Sequence, residues 1–207
     1  DVRTIYEAPI SFFNQKLDKQ VLKYFKLKSK KRPNLLPWKK ITKITLNTKK
    51  FVNIAIIGKY VNLKDAYKSL DEALIHGGIS NKVKVNLIRI ESDKLKVNEI
   101  KRKLKNVSGL LIPGGFGKRG TEGKISAIKF ARENNIPFLG ICFGMQMAIV
   151  EFARNILKIK KAGSSELDKN CYPVIGLITE WNKNGKIIKG TDKNLGGTMR
   201  LGLYEAK

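Results

Sequence analysis

A single cysteine stands between two glycines in the segment FLGICFGMQMAIVEFARN, which runs from Phe138 to Asn155. Its core, GICFG, has the form glycine, any residue, nucleophile, any residue, glycine, which is typical of a sharp turn from a strand into a helix. Such a turn would place the Cys142 thiol at the positive end of the next helix, where the reactive thiolate is favoured. The Phe143 amide would then be a natural donor to an oxyanion. A buried structural cysteine that happens to be flanked by glycines is the alternative interpretation.

A second glycine-bearing turn, PGGFGKRG, covers Pro113 to Gly120. Its G-x-G-x-x-G spacing could indicate dinucleotide binding, but that fingerprint requires an acidic residue about 20 positions later. The sequence there is LGIC instead. Because neighbouring strands of a parallel sheet end at the same edge, this turn would lie beside Cys142 and offer an exposed glycine amide as a second oxyanion donor. The two turns together favour acyl transfer through a thioester.

The elements that must position these turns begin near Phe51, where short β-rich runs alternate with helix-length amphipathic runs. This pattern is typical of βαβ units, so we predict an α/β fold with a mainly parallel central sheet flanked by helices. The predicted strands are FVNIAIIG, KVNLIRI, SGLLI, IPFLGI and YPVIGLITEW, with a hairpin turn at Asn184-Gly185. In the first intervening helix, Asp65 is the expected cap, His76 a helix-end residue and Gly77 the stop. The first fifty residues read as an irregular connector with one short helix in NQKLDKQVLKYFKL.

Composition excludes several classes of function. The chain of 207 residues has no apolar run long enough to span a bilayer and no apolar signal segment, so a membrane partner is not expected. Its two cysteines and one histidine argue against zinc sites, disulfide frameworks and histidine-based catalysis. The formal net charge of +25 comes mostly from lysines spread along the whole chain, which argues against nucleic acid as the partner. The run KLKSKKRP is interpreted as a solvated linker, with a nuclear-import signal as the alternative.

The segment IPGGFGKRGTEGKISAIKFARENNIPFLGICFGMQ resembles the glutaminase domain of the CTP synthase family, a class I glutamine amidotransferase. The segments IIGKYVNLKDAYKSLDEALIHGG, AGSSEL, ITEW and LGGTMRLG are similar to that family in the same order, and DVRTIYEAP resembles the end of its synthetase domain. The resemblance implies the flavodoxin-like fold of class I glutamine amidotransferases over residues 51–207, with the C-terminal part missing. Residues 1–50 are expected to hold the end of the synthetase domain and a basic interdomain linker.

The resemblance also implies roles for individual residues. Cys142 would attack the side-chain amide of glutamine, releasing ammonia and leaving a glutamyl thioester, with Gly115 and Phe143 as oxyanion donors. Glu166 would hold the amino group of the substrate, and Arg119 would belong to a loop that the family links to GTP activation. The residues expected to bind glutamine are Gly115, Phe116, Phe143, Gly144, Met145, Gln146 and Glu166. The alternatives are a Gln146 that faces solvent and a Glu166 that is an ordinary loop acid.

One departure from the family pattern affects the expected activity. The family's general base is a histidine followed two residues later by a glutamate, and no such pair occurs before Lys207. Because the base also protonates the departing ammonia, we expect turnover by this chain alone to be severely impaired.

The cofactors and partners implied by the resemblance lie outside this chain. No metal or cofactor is expected here, whereas ATP, magnesium and UTP would bind the missing synthetase domain and GTP would act as an allosteric activator. The full-length protein would be a cytoplasmic homotetrameric ligase of pyrimidine biosynthesis that converts UTP to CTP. Another class I amidotransferase, a γ-glutamyl hydrolase and a non-catalytic interaction module are the alternative functions.

Overall fold

A four-stranded parallel sheet forms the centre of the molecule. The computed structural model describes residues 1–29, 31–59, 64–176, 180–183 and 186–189. The strands of this sheet are β1 (Phe51–Gly58), β2 (Lys84–Glu91), β3 (Gly109–Ile112) and β4 (Phe138–Gly140), in the spatial order β2-β1-β3-β4. All three neighbouring pairs are parallel. The α/β fold with a mainly parallel sheet is therefore confirmed.

Helices make the crossovers that a parallel sheet requires. The helices in the described part of the chain are α1 (Ala8–Asn14), α2 (Leu17–Tyr24), α3 (Leu36–Asn47), α4 (Lys68–Ser80), α5 (Val97–Leu104), α6 (Thr121–Glu133) and α7 (Phe143–Asn155). Helices α4, α5 and α6 each connect one parallel strand to the next, and α7 follows β4. Residues 55–58 of β1 are buried without alternation, which shows that both faces of the sheet are covered there.

The strand register brings three chain segments to one edge of the sheet. Ile56 pairs with Leu111 across β1 and β3, and Ile112 pairs with Gly140 across β3 and β4. Because these strands are parallel, Lys59 after β1, the segment 113–120 after β3 and the segment 141–142 after β4 all leave the sheet at this edge.

The hydrophobic core lies between the sheet and helices α5, α6 and α7. Its fully buried members include Ile57 and Ile112 from the strands and Met147 from α7. An ion pair between Arg132 of α6 and Glu151 of α7, with 2.8 Å between Nη2 and Oε1, joins these two helices. Glu151 is only 1% exposed, so this carboxylate depends on Arg132 for its compensation.

The end predicted for helix α4 is wrong by three residues. Gly77 does not stop the helix, which continues to Ser80, and Asp65 lies in a 3-10 turn at Lys64–Tyr67 rather than at the helix cap. The second glycine of the pair, Gly78, is required by close packing. A Cβ at that position would lie 2.6 Å from Cγ2 of Val85 and 2.8 Å from the carbonyl oxygen of Val83. The glycine is needed for close packing of α4 against the start of β2, a contact that the sequence pattern alone does not reveal.

The first fifty residues are more helical than predicted. The short helix expected there is present as α2, but α1 and α3 accompany it. Helix α3 begins with a proline in its first turn, a favourable position because the first helical amides have no intrahelical acceptor. Tyr6 is buried, and its ring lies 5.9 Å from that of His76 in α4. The segment therefore packs against the α/β unit, while its assignment to a synthetase domain and linker stays a prediction.

Two smaller strand pairs follow α7. Strands β5 (Ala162–Ser164) and β6 (Tyr172–Ile175) are parallel, and β7 (Glu180–Lys183) is antiparallel to β8 (Lys186–Lys189), as a hairpin requires. The predicted turn residues Asn184 and Gly185 lie outside the described residues, as does LGGTMRLG. None of the helices in the described ranges has the length and apolar character needed to cross a bilayer.

Candidate active site

Cys142 occupies a strained backbone position between β4 and α7. Its φ is 50° and its ψ is −105°, and the residue is solvent-exposed at the N-cap of α7. A non-glycine residue in such a conformation costs roughly 1 to 3 kcal/mol and persists only where the surrounding structure enforces it. The sharp strand-to-helix turn predicted from GICFG is present, and it presents the thiol to solvent at a helix N-terminus.

The two glycines that flank the cysteine permit this turn through close packing. A Cβ at Gly140 would lie 2.5 Å from the carbonyl carbon of Gly144, and a Cβ at Gly144 would lie 2.2 Å from the carbonyl oxygen of Ile112. These obstructing atoms belong to the backbone and have little freedom to move away. Glycine at both positions is therefore a steric requirement of the turn, and the first turn of α7 packs directly on the end of β3.

The segment from Pro113 to Gly120, called the glycine loop below, approaches Cys142 as the strand order predicts. An ideal Cβ on Gly114 would lie 3.6 Å from the Cβ of Cys142, whereas one on Gly115 would have no neighbour within 4 Å. Gly115 thus borders open space at the site, and Gly114 makes the close approach to the cysteine. Sequence reasoning did not single out Gly114, although its place in the Gly-Gly pair was a usable signal.

The residues at the start of α7 differ in what they can offer a ligand. The side chain of Phe143 is in the core at 2% exposure, so this residue can contact a substrate only through its backbone. Its amide is the first of helix α7 and has no intrahelical acceptor. Gly144 is buried, Met145 is 53% exposed and Gln146 is half-buried. The structure places all four beside Cys142, and their roles in binding glutamine stay predictions.

Phe116 and Glu166 are both exposed. Phe116 lies in the glycine loop with 72% of its surface accessible. Glu166 lies in the turn that follows β5, and its carboxylate has no hydrogen bond or ion pair to another residue in the described ranges. Strand β5 packs against α7, which brings this turn to the helix that carries Cys142 at its N-terminus. A carboxylate in this setting can pair with the amino group of a substrate.

A cluster of charged side chains surrounds the glycine loop. Arg119 pairs with Asp93, with 3.5 Å between Nε and Oδ2. Lys59 donates hydrogen bonds from Nζ to the carbonyl oxygens of Phe116 and Gly117. Burial lowers the pKa of Lys59, the positive charge of Arg119 lowers it further, and the carboxylate of Asp93 acts in the opposite direction. Sequence reasoning predicted no contact between Lys59 and this loop, because the residues are 57 and 58 positions apart in the chain.

Lys124 of helix α6 is almost completely buried, with 2% exposure, and its ammonium lies 4.7 Å from the centre of the Phe143 ring. Burial lowers its pKa from 10.5 to about 8, with a further lowering by Lys59 and an opposing effect of Asp93. A cation over an aromatic ring is stabilised by about 0.5 to 2 kcal/mol, which offsets part of the cost of burial. The lysine therefore lies beneath the turn that bears Cys142, in contact with the ring of the residue that follows the cysteine.

Replacing Lys124 by methionine is expected to stabilise the fold at pH 7. A pKa shift of this size corresponds to about 3 kcal/mol, so after loss of the cation–π contact we expect a gain of about 1 to 3 kcal/mol in the free energy of unfolding. Because the folded-state pKa is below the unfolded value, the wild-type penalty is complete below pH 8 and disappears as the pH rises towards 10.5. Urea unfolding of wild type and Lys124→Met between pH 7 and pH 10.5 measures this convergence.

The matched control is Lys129→Met, at a lysine of the same helix whose side chain is 46% exposed. It should change the free energy of unfolding by less than about 0.5 kcal/mol, as surface substitutions usually do. A Lys124→Met variant less stable than wild type at pH 7 would show that the buried ammonium makes a net favourable contribution.

A separate cavity of about 780 Å³ lies behind the glycine loop, between the start of α6 and strand β5. Ser92, Gly120 and Ser164 line it, and Cys142 is absent from the described residues of its wall. The strand-to-helix turn that bears Cys142 therefore lies outside this cavity.

Comparison with known proteins agrees with this geometry. Residues 62–207 match the family model described as glutamine amidotransferase class-I. The whole chain is 77% identical over 207 residues to the CTP synthase of Pelagibacter ubique strain HTCC1062, and 50% identical over an alignment of 209 residues to that of Gluconobacter oxydans strain 621H. The chain spans 38% of the length of each of these curated relatives.

A solved structure of similar fold is the glutaminase domain of Trypanosoma brucei CTPS with bound acivicin. It is 35% identical with a TM-score of 0.58, over 61% of this chain and 50% of that chain. Together with the parallel sheet and the strained cysteine turn, these matches show that the chain belongs to the class-I glutamine amidotransferase family and corresponds to the glutaminase region of the CTP synthases.

Proposed function

We propose that the chain hydrolyses glutamine through a thioester on Cys142. The thiolate attacks the carbonyl carbon of the side-chain amide, the carbon–nitrogen bond breaks, and the nitrogen leaves as ammonia after gaining a proton. Water then attacks the glutamyl thioester, which releases glutamate and restores the thiol. The observation that carries the proposal is the strained, exposed Cys142 at a helix N-terminus with Gly114 against it.

Both tetrahedral intermediates carry a negatively charged oxygen that needs donors already in place. The Phe143 amide follows the nucleophile directly, and the Gly115 amide lies on the facing loop, so the two are proposed as the oxyanion donors. Glu166 is proposed to bind the substrate's ammonium group. Phe116, Gly144, Met145 and Gln146 would complete the glutamine pocket, and Arg119 would take part in the response to GTP.

A general base is also required to move protons in both steps. His76 is the only histidine of the chain and lies in α4 with its ring near Tyr6, away from both glycine-bearing turns. We therefore assign it no part in the reaction, and we expect the 207-residue chain to turn glutamine over much more slowly than the full-length protein. In that protein, the ammonia would aminate UTP to CTP with ATP and magnesium in the cytoplasm, within a homotetramer.

The first test is protection of Cys142 from alkylation in the full-length protein. We expect L-glutamine to slow the reaction of Cys142 with iodoacetamide, followed by mass spectrometry of the peptide that contains it, while D-glutamine does not. Cys171 is an internal control because it is half-buried immediately before β6, outside both glycine-bearing turns. Equal alkylation of Cys142 with and without L-glutamine would contradict the proposed site.

The second test concerns the product. The full-length protein should form CTP from UTP and ATP with either glutamine or ammonia as nitrogen source. Release of glutamate without CTP from either source would instead indicate an amidotransferase that serves another acceptor.

A further inference from the structure

The glycine loop is held at its two ends by the backbone and in the middle by a side chain. At its start, the carbonyl oxygen of Ile112 accepts a hydrogen bond of 2.9 Å from the Ile141 amide. At its end, the amide and hydroxyl of Thr121 both donate to the carbonyl oxygen of Lys118, at 3.2 and 2.7 Å. Among the described residues, no amide of residues 114–117 donates to another backbone group. The central part of the loop therefore lacks the regular backbone hydrogen bonds that hold a strand or a helix in place.

Lys59 supplies the contacts that the backbone does not. It is the first residue after β1, the strand that pairs with β3, and its Nζ reaches the carbonyl oxygens of both Phe116 and Gly117, the latter at 3.0 Å. Gly117 has a φ of 77°, so the two carbonyl groups converge on one ammonium through a turn that glycine adopts without strain. Hydrogen bonds from a charged donor are roughly twice as strong as neutral ones, which makes Lys59 an effective anchor.

The surroundings of Lys59 argue against a loosely solvated side chain. Within the described part of the chain it forms no ion pair with a carboxylate closer than 4.0 Å, and its positive charge lies near Arg119 and the buried Lys124. Partial burial beside two other cations is unfavourable unless polar contacts compensate it. The carbonyl groups of the glycine loop provide that compensation, and in return their orientation becomes fixed.

We propose that Lys59 is a positioning residue for the oxyanion site, whose ammonium holds the carbonyls of Phe116 and Gly117 so that the Gly115 amide faces the reacting carbonyl. The inference rests on the proposed function, because it assumes that Gly115 is an oxyanion donor. Fixing the peptide planes on the C-terminal side of Phe116 limits rotation of the Gly115–Phe116 segment. Without the anchor, the Gly115 amide would sample orientations that point away from Cys142.

The test uses Lys59→Met and Lys59→Arg in the full-length protein, with glutamate release as the assay. Loss of one oxyanion donor typically costs about 10² to 10³-fold in rate, so a donor that is present but poorly aimed should cost about 10- to 100-fold in kcat. We expect this loss in Lys59→Met with a change in KM of less than about threefold, because the contact would act mainly in the transition state. Lys59→Arg retains the charge and the donors and should recover a large part of kcat.

Alkylation of Cys142 by iodoacetamide separates this role from a structural one. That reaction has no carbonyl oxyanion, so its rate in Lys59→Met should equal that of the wild type. The control variant is Lys50→Met, at an exposed lysine just before the other end of β1, which should leave kcat and KM unchanged.

Three results would overturn the inference: an unchanged kcat in Lys59→Met, a rise in KM alone, or an equal fall in kcat and alkylation rate. The last result would mean that Lys59 supports the whole turn rather than the oxyanion donor. Failure of the proposed function looks different, since the wild type itself would then release no glutamate and glutamine would not protect Cys142.

Discussion

Glutamine-dependent CTP formation by the full-length protein is expected to fall at least about 10³-fold in Cys142→Ala, since alanine cannot form the covalent intermediate. Ammonia-dependent CTP formation should be retained, because external ammonia bypasses the thioester. The substitution removes only the sulfur at a position where the backbone is already constrained, so the turn itself should persist. Initial rates of CTP formation with saturating glutamine and with ammonium chloride, measured on the same preparation, give the glutamine-dependent and ammonia-dependent activities.

Cys171→Ala is the matched control for this prediction. It removes the other thiol of the chain, beside strand β6, and should leave both activities within about twofold of the wild type because surface and half-buried changes away from the reacting groups have small effects. Loss of CTP formation with both glutamine and ammonia in Cys142→Ala would point to a misfolded protein. Retention of the glutamine-dependent reaction would rule out Cys142 as the nucleophile.

The sheet and the cysteine turn could be predicted because local patterns determine them. Apolar runs bounded by glycine and polar residues gave the four parallel strands, and parallel strands necessarily end at one edge. The glycine pattern around Cys142 was informative because Gly140 and Gly144 leave no room for a Cβ atom, so these positions require glycine for steric reasons. The same signal failed at Gly77 and Gly78, where adjacent glycines lie inside α4 and the packing partner belongs to β2.

The cations around the glycine loop could not be predicted from local patterns. Lys59 and Lys124 lie in segments that are distant in sequence, and nothing in IIGKY or TEGKIS distinguishes a buried lysine from the many exposed lysines of this chain. Only the fold brings Lys59 to the Phe116 carbonyl and Lys124 beneath the Phe143 ring. In a chain with a net charge of +25, the presence of a lysine says little about its role. The lysines near the site are therefore identified only by their burial and contacts in the folded structure.

The second large effect is expected for Gly144→Ala in the first turn of α7. The new Cβ would lie 2.2 Å from the carbonyl oxygen of Ile112, which also accepts the hydrogen bond from Ile141. Relief of this clash requires the helix to move away from β3. Overpacking costs about 1 to 3 kcal/mol and more where backbone is the obstacle, so we expect a loss of about 3 kcal/mol in the free energy of unfolding.

The same movement should displace the Phe143 amide from its position beside Cys142. A misplacement of about 1 Å can cost about 100-fold in rate, so kcat for glutamine hydrolysis should fall by roughly that factor even below the unfolding transition.

Gly77→Ala is the control, because this helical glycine has nothing within 4 Å of its Cβ position and alanine there should stabilise α4 by about 0.5 to 1 kcal/mol. The two variants make the same chemical change and are expected to act in opposite directions, since the Gly144 position packs against backbone and the Gly77 position faces open space. Equal stability of Gly144→Ala and wild type in urea would show that α7 can move away from β3 without cost. An unchanged kcat in that variant would show that glutamine hydrolysis does not depend on the close packing of Gly144 against Ile112.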